Sequence, residues 1–185
     1  MRVSHRLFSD TEKAMPIKKG VNVSLSDVKN AIKFLREDID SGESKVLSKN
    51  ENYSLCATLD TIYITLPTAE IVGILYAPKS NYIKGYRESS LVWLDKKLRG
   101  QGLGLLMYLA AIKVFGKLCS SDNIGEMAVK TWYRISKKVE VKLWAINMVG
   151  KGGKYIEFTW GKDGIPQVSG KPVTKFKNDV FFVVN

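Results

Sequence analysis

The chain is poor in the residues that build metal and nucleophile sites. Its 185 residues include one histidine, His5, and two cysteines, Cys56 and Cys119. There is no CxxC pair, and a zinc site draws on about four Cys or His ligands, so no metal is expected. A Ser-His-Asp or Cys-His device would have to rest on His5 alone, near the start of the chain. Both cysteines stand in apolar stretches far from each other, which fits reduced thiols in a cytoplasmic compartment. No run reaches 18 apolar residues, so neither a spanning helix nor a membrane partner is expected. Residues 1–10 are too polar for the apolar region of a signal peptide. Internal repeats and low-complexity segments are absent too.

What remains is the composition of an ordinary globular chain, 45% apolar and 25% charged, and one domain over residues 1–185 is expected. Its charge is one-sided. Twenty-nine Lys+Arg against 18 Asp+Glu give a formal +11. Residues 1–75 carry ten basic and ten acidic side chains, residues 76–129 eight and four, and residues 130–185 eleven and four. The second half therefore suits an anionic cofactor, an acidic partner or nucleic acid. A solubilising charge with no dedicated partner is the plain alternative.

Periodicity supplies the elements. Val28, Ala31, Ile32, Leu35 and Ile39 make one apolar stripe, which predicts a helix over 25–40 with Ser24 and Asp27 as its cap. Short β-rich runs follow at 53–59, 61–66 and 71–76, bounded by Asn, Asp, Pro or Gly. A further strand is predicted over 89–94; its Leu91-Val92-Trp93-Leu94 core does not alternate, as a strand buried on both faces would not. Residues 103–115 are apolar nearly all round, the pattern of a buried helix. A short strand at 118–120, a helix at 126–136 and strands at 139–148, 155–160 and 180–184 complete the order. Residues 161–172 read as a loop. The sum is α/β with a mixed sheet, hairpin-joined strands first and one β-α-β crossover in the middle.

One segment carries chemistry: Leu94-Asp95-Lys96-Lys97-Leu98-Arg99-Gly100-Gln101-Gly102-Leu103-Gly104. A strand ends, a basic glycine-rich turn follows, and a long apolar helix begins. Three glycines in five residues let the backbone meet something closely. The first N–H groups of the helix point into that space with the positive end of its dipole behind them, a ready site for phosphate or diphosphate. Neither G-x-x-x-x-G-K-[ST] nor G-x-G-x-x-G fits, because the third glycine of the latter would fall on Leu105. The string that does fit is [Arg/Gln]-x-x-Gly-x-[Gly/Ala], met by Arg99, Gly102 and Gly104.

Residues 92–112, with Arg99-Gly-Gln-Gly-Leu-Gly at the strand-to-helix turn, resemble the acetyl-coenzyme A binding motif of the GNAT acyltransferase superfamily. The resemblance is strong over residues 89–136 and topological elsewhere. It implies a mostly antiparallel central sheet splayed at a V-shaped cleft and flanked by helices. It also implies that the N–H groups of Arg99, Gly100, Gln101, Gly102, Leu103, Gly104 and Leu105 hold the diphosphate of acetyl-CoA. Main-chain groups of Trp93 and Leu94 would bind the pantetheine arm, with residues 118–120 as the strand opposite. The stretch from Leu118 to Asp122, with Ala128 and Trp132, resembles GNAT-like proteins carried by bacteriophages.

Direct acyl transfer to an amine needs a base for the ammonium, support for an oxyanion and a proton for the leaving thiolate. In the family the acid is often a tyrosine in N-x-x-A-x-x-x-Y, on the helix after the fifth strand. Here Trp132 stands four residues after Ala128, and Tyr133 is one position on, about 100° around the helix. Tyr133 is thus the candidate acid. Asp122 is a candidate base that could equally cap the helix behind it, and Glu126 and Glu88 are alternatives. A covalent route through Cys119 lacks a histidine partner. Trp93 and Trp132 read as packing residues before substrate platforms.

Two functions compete. One is an N-acyltransferase that uses acetyl-CoA and an amine acceptor on a protein, small molecule or nucleic acid. The other keeps the fold with weak or no catalysis, and binds nucleic acid or a host protein through its basic C-terminal face. Trp144, Tyr155, Trp160 and Phe176 do lie among Lys142, Lys154, Lys162 and Lys175, as a single-strand binder requires. Alternating strands place aromatics inside and lysines outside without any ligand, so that pattern has a structural explanation as well.

Overall fold

The structure is a computed structural model that describes residues 23–121, 124–146, 153–172 and 179–185. Helix α1 (Leu25–Asp40) opens at Ser24, whose hydroxyl oxygen accepts the Asp27 N–H at 3.1 Å and whose proton goes to Asp27 Oδ2 at 2.6 Å. That is the cap the sequence predicts. Strands β1 (Lys45–Lys49), β2 (Ser54–Ala57), β3 (Thr61–Thr65) and β4 (Ile71–Tyr76) then form an antiparallel meander. The strand expected at 89–94 is two: β5 (Arg87–Ser89) and β6 (Leu91–Leu94), broken at Ser90. A 3₁₀ turn (Lys96–Leu98) and the glycine turn lead into α2 (Leu103–Phe115), β7 (Leu118–Ser120) and α3 (Glu126–Ile135). The rest is β8 (Lys142–Ile146), β9 (Gly153–Ile156), β10 (Thr159–Trp160), β11 (Pro166–Val168), β12 (Lys171–Pro172) and β13 (Asp179–Val184).

Two five-stranded sheets carry the fold, in the orders β1-β2-β3-β4-β6 and β5-β7-β13-β8-β9. Among the described strands every pairing is antiparallel except β5 with β7. The mixed, mostly antiparallel sheet and the single central crossover are therefore as predicted. One face of the first sheet packs on α1 through Leu35, Tyr63, Ile74 and Leu91. The other meets α2, and the core continues through Met107, Tyr108 and Ala111 to Trp132, Leu143 and Phe182.

Five expectations change. Strand β6 is not buried on both faces: Leu91 is buried, but Val92, Trp93 and Leu94 are half-buried because β6 is an edge of its sheet. Helix α2 is buried along Leu103, Met107, Tyr108 and Ala111 only. Its Leu106, Leu109 and Ala110 instead border a groove of about 1040 Å³ shared with Val46 and Leu55, because the sheet stops at β1. The strand expected at 155–160 divides between two sheets, and the expected loop 161–172 contains β11 and β12, which with β10 form a small third sheet. The strand expected over 139–148 begins only at Lys142, since Val139 still donates its N–H to Ile135 at the end of α3; residues 147 and 148 lie outside the described residues.

Candidate functional site

Around Ser90 one strand direction serves two sheets. Arg87, Glu88 and Ser89 pair in parallel with Leu118, Cys119 and Ser120. Past Ser90 the chain runs on as β6 but, among the described strands, pairs only with β4. The Ser90 N–H makes the change, shared between the Tyr76 carbonyl at 3.1 Å and the Glu88 carbonyl at 2.8 Å. Beyond Ser90 β6 and β7 part into different sheets, which is the splay that the resemblance implies.

The free edge of β6 has a definite parity. The Asp95 N–H donates to the Val72 carbonyl at 2.8 Å, and Leu94 sits opposite Gly73. Antiparallel alternation then turns the main-chain groups of Leu91 and Trp93 toward β4, and those of Val92 and Leu94 toward the open edge. Of the two residues expected to face the cleft, Leu94 does so; Trp93 uses its groups on β4, and Val92 takes the second place. Sequence alone supplies the two-residue period but not its phase.

At the end of β6 the chain is tied down before it turns. Asp95 accepts the Lys97 N–H at 2.8 Å, and Arg99 Nε donates to the Leu94 carbonyl at 3.0 Å. Gly100 and Gly102 have φ of +83° and +80°, a region open to glycine at little cost and strained for other residues. The first helical bond at the start of α2 is Leu106 N–H to Gly102 O, 3.0 Å, and Gly102 supplies no side-chain cap. Leu103, Gly104 and Leu105 therefore present N–H groups with no acceptor among the described residues. A Cβ added at Gly100, Gly102 or Gly104 would meet no atom within 4 Å. The turn is an open cradle of donors at a positive helix end, and its residues fit a diphosphate.

Glu88 lies at the apex of the splay. Its side chain is 8% exposed, and its carboxylate accepts from Ser80 Oγ at 3.3 Å and Ser90 Oγ at 3.4 Å. Neighbouring Cys119 is fully buried, and burial pushes its thiol up to about 12, so no thiolate nucleophile stands there near neutral pH. Tyr108 is also pushed up to about 12 by burial, with Ser89 as a hydrogen-bond partner. Ser120 Oγ accepts the Phe182 N–H at 3.0 Å, which fixes it in the sheet.

Of the residues expected to do acid–base chemistry, the structure describes the side chains of Tyr133 and Glu88. The Tyr133 ring packs on Trp160 with centroids 5.2 Å apart, lies against Gly164 and carries the Lys137 ammonium at 4.5 Å. Those contacts turn it toward the small third sheet. Trp132 takes the inward position instead, wholly buried between Tyr108 at 5.5 Å and Phe182 at 5.6 Å. Its indole N–H has no hydrogen-bond partner among the described residues, a state that costs about 1–3 kcal/mol. Asp122 lies outside the described residues, as does His5; Glu126 begins α3, and its side chain lies outside them too. Trp160 stacks on Phe182 at 5.4 Å, so this aromatic of the basic half is a core residue.

No protein-family model and no curated protein sequence matches the chain. Two solved structures align with it over most of their length. One, described as an acyl-CoA N-acyltransferase from Klebsiella pneumoniae, is 14% identical over 87% of this chain and 90% of its own, with a TM-score of 0.40. The other is the diaminobutyrate acetyltransferase of Paenibacillus lautus, solved with its substrate L-2,4-diaminobutyric acid and coenzyme A. It is 12% identical over 85% of this chain and 89% of its own, with a TM-score of 0.37.

Proposed function

We propose that this chain is an N-acyltransferase that takes an acyl group, acetyl above all, from acyl-CoA and gives it to an amine in a ternary complex. The observation that carries this reading is the coincidence of two openings on one strand: the unpaired edge of β6 leads directly into the uncapped glycine turn of α2. A turn that merely packed a helix on a strand would need the glycines but not the free edge.

When bound, the coenzyme supplies an acyl thioester, the activated carbonyl of the reaction. The N–H groups from Gly100 to Leu105 would hold its diphosphate, with Lys96, Lys97 and Arg99 adding positive charge beside them. Val92 and Leu94 would receive the pantetheine arm as an added strand, because their main-chain donors and acceptors face the open edge. Glu88 is the carboxylate best placed to take the ammonium proton, being buried where the two sheets part and oriented by two serine hydroxyls. The acid is less well supplied. Trp132 can donate a hydrogen bond through its orphan N–H but releases no proton at biological pH. Tyr133 has a proton to give but is packed on Trp160.

The test is a pair of measurements on the full chain. Acetyl-CoA in hundredfold excess over its Kd should stabilise the protein by about 2.7 kcal/mol, roughly 5–10 °C in Tm at this size. Glu88→Gln should keep that shift and lower acetyl transfer to an accepted amine by roughly 10²–10⁴-fold near neutral pH, with the loss closing at high pH, where the amine is already neutral. No shift with any acyl-CoA would remove the donor assignment. Tyr133→Phe tests the remaining acid candidate: a turnover loss that is full where the phenol is protonated and closes at high pH would return the role to Tyr133.

A further inference from the structure

A second opening lies on the face of the β5-β7-β13-β8-β9 sheet that carries Glu88. The cavity there measures about 620 Å³, within the range of small-molecule sites. Tyr82, Tyr86, Trp144 and Tyr155 wall it with rings, Lys84 and Lys117 bring two ammonium groups, and its described lining has no Asp or Glu. Its place follows from register. Glu88 faces Cys119, Cys119 faces Val183, and Phe181 two residues earlier on β13 faces Trp144, which faces Tyr155. Residues in register or two apart share a face, so Glu88 and the ring-walled cavity open on the same side of the sheet.

The cavity is built, not incidental. A Cβ at Gly153 would overlap the Trp144 indole, so the glycine is what lets that ring lie over β9. Trp144 meets Tyr155 edge-on at 4.7 Å, and the Tyr82 ring covers Phe181 at 5.3 Å. Tyr86 donates its hydroxyl proton to Asn185 Oδ1 and lies 3.4 Å from the Tyr155 hydroxyl. Lys117 stands 5.7 Å over the Tyr86 ring and Lys142 5.5 Å over the Tyr155 ring. Hydrogen bonding with Tyr86 and Asn185, helped by Lys142 and Lys117, pulls the Tyr155 phenol below its ordinary range. Its partner Tyr86 is raised by burial and by Tyr155, so the preference for an anion rests on the two ammonium groups of the lining.

We infer that this cavity holds the body of the acceptor, and that the acceptor is a flat aromatic anion of nucleotide size whose amine reaches toward Glu88. Rings stack on the ring walls, and the phosphate or carboxylate lies between Lys84 and Lys117. Only the identification of this ligand as the acceptor rests on the acyltransferase reading; the binding itself does not.

The experiment titrates uridine 5′-monophosphate and uridine into the full chain by calorimetry, with and without saturating coenzyme A. The nucleotide should bind at least tenfold tighter than the nucleoside and should not compete with the coenzyme. Trp144→Ala should weaken it roughly 5- to 150-fold, the loss of one base–aromatic stack, and Trp144→Phe should restore most of that. Lys84→Ala, at an exposed side chain, should cost several-fold and flatten the salt dependence. Equal or absent binding of the two probes overturns the inference, as does binding that these substitutions leave unchanged. A response only to single-stranded oligonucleotides also overturns it, in favour of a strand as ligand. If the nucleotide binds but acetyl-CoA never shifts Tm, the cavity stands and the donor assignment falls; the reverse result removes the cavity alone.

Discussion

Helices α1 and α2 begin in opposite ways. The start of α1 is closed by its own sequence, since Ser24 satisfies the Asp27 N–H and takes hold of the Asp27 carboxylate in return. The start of α2 is left open by Gly102, which offers neither a side-chain acceptor nor a Cβ to fill the space. A helix start without a cap carries unsatisfied donors. Evolution tolerates that where water or a ligand satisfies them. Under the proposed function the capped end belongs to the scaffold and the uncapped end to the coenzyme. Helix α3 also starts at an uncapped glycine, Gly125, so the contrast rests on the free strand edge that leads into α2.

The sharpest way to break it is to give α2 a cap-like anion of its own. Gly104 is the position to use, because it has no positive φ and its Cβ would meet nothing within 4 Å. Gly104→Glu places a carboxylate in the first turn, where it gains from the dipole and from a better helix propensity, each worth up to about 1 kcal/mol. The apo protein should therefore melt at the same temperature or higher. The acetyl-CoA shift of several degrees should vanish, because the new carboxylate competes with the diphosphate and repels it. A variant that keeps the full shift in differential scanning fluorimetry would place the diphosphate elsewhere.

The uncapped start was legible in the sequence because it is a local backbone requirement: three glycines between an apolar strand and an apolar helix. The same holds for the Ser24 cap and for the meander. What could not be read depends on partners distant in the chain. Strand β1 has a mostly exposed pattern and exists because it pairs with β2 across a bulge between Val46 and Ser48. The outward parity of Val92 and Leu94 is set by the Asp95–Val72 bond. The hairpin of β11 and β12 turns at Ser169 and Gly170, both at positive φ; that Ser-Gly pair was its one sequence signal. The ring-walled cavity draws on residues from 82 to 185, so no window along the chain contains it.

The reciprocal change removes the cap of α1. Ser24→Ala deletes the acceptor for the Asp27 N–H and leaves the rest of the helix in place. It should cost about 1 kcal/mol, read as a Tm lower by roughly 2–4 °C, with the acetyl-CoA shift unchanged in size. A smaller coenzyme shift would mean that the two helix starts are coupled through the sheet between them, and the division into scaffold and chemistry would not hold.

The smallest effect lies at the other end of α1. Its last turn carries no basic residue, so Asp38 and Asp40 stand where the dipole is negative. Burial, and then the charges of Asp60, Glu43 and Glu37, raise the Asp38 carboxyl above its ordinary value. The folded chain thus holds that proton to higher pH than the unfolded chain does, and stability falls as pH rises through the raised value. Asp38→Asn removes the dependence. Its Tm should exceed that of the wild type at pH 7 by a degree or so, because the variant relieves the burial of a charge and the repulsion from Asp60, Glu43 and Glu37. The gain should close as pH drops below about 4, where both carboxyl states are protonated. A gain that persists at low pH would trace the stabilisation to packing and not to charge, and the end of α1 would then be no less well matched to its dipole than the end of α2, where Lys113 already sits.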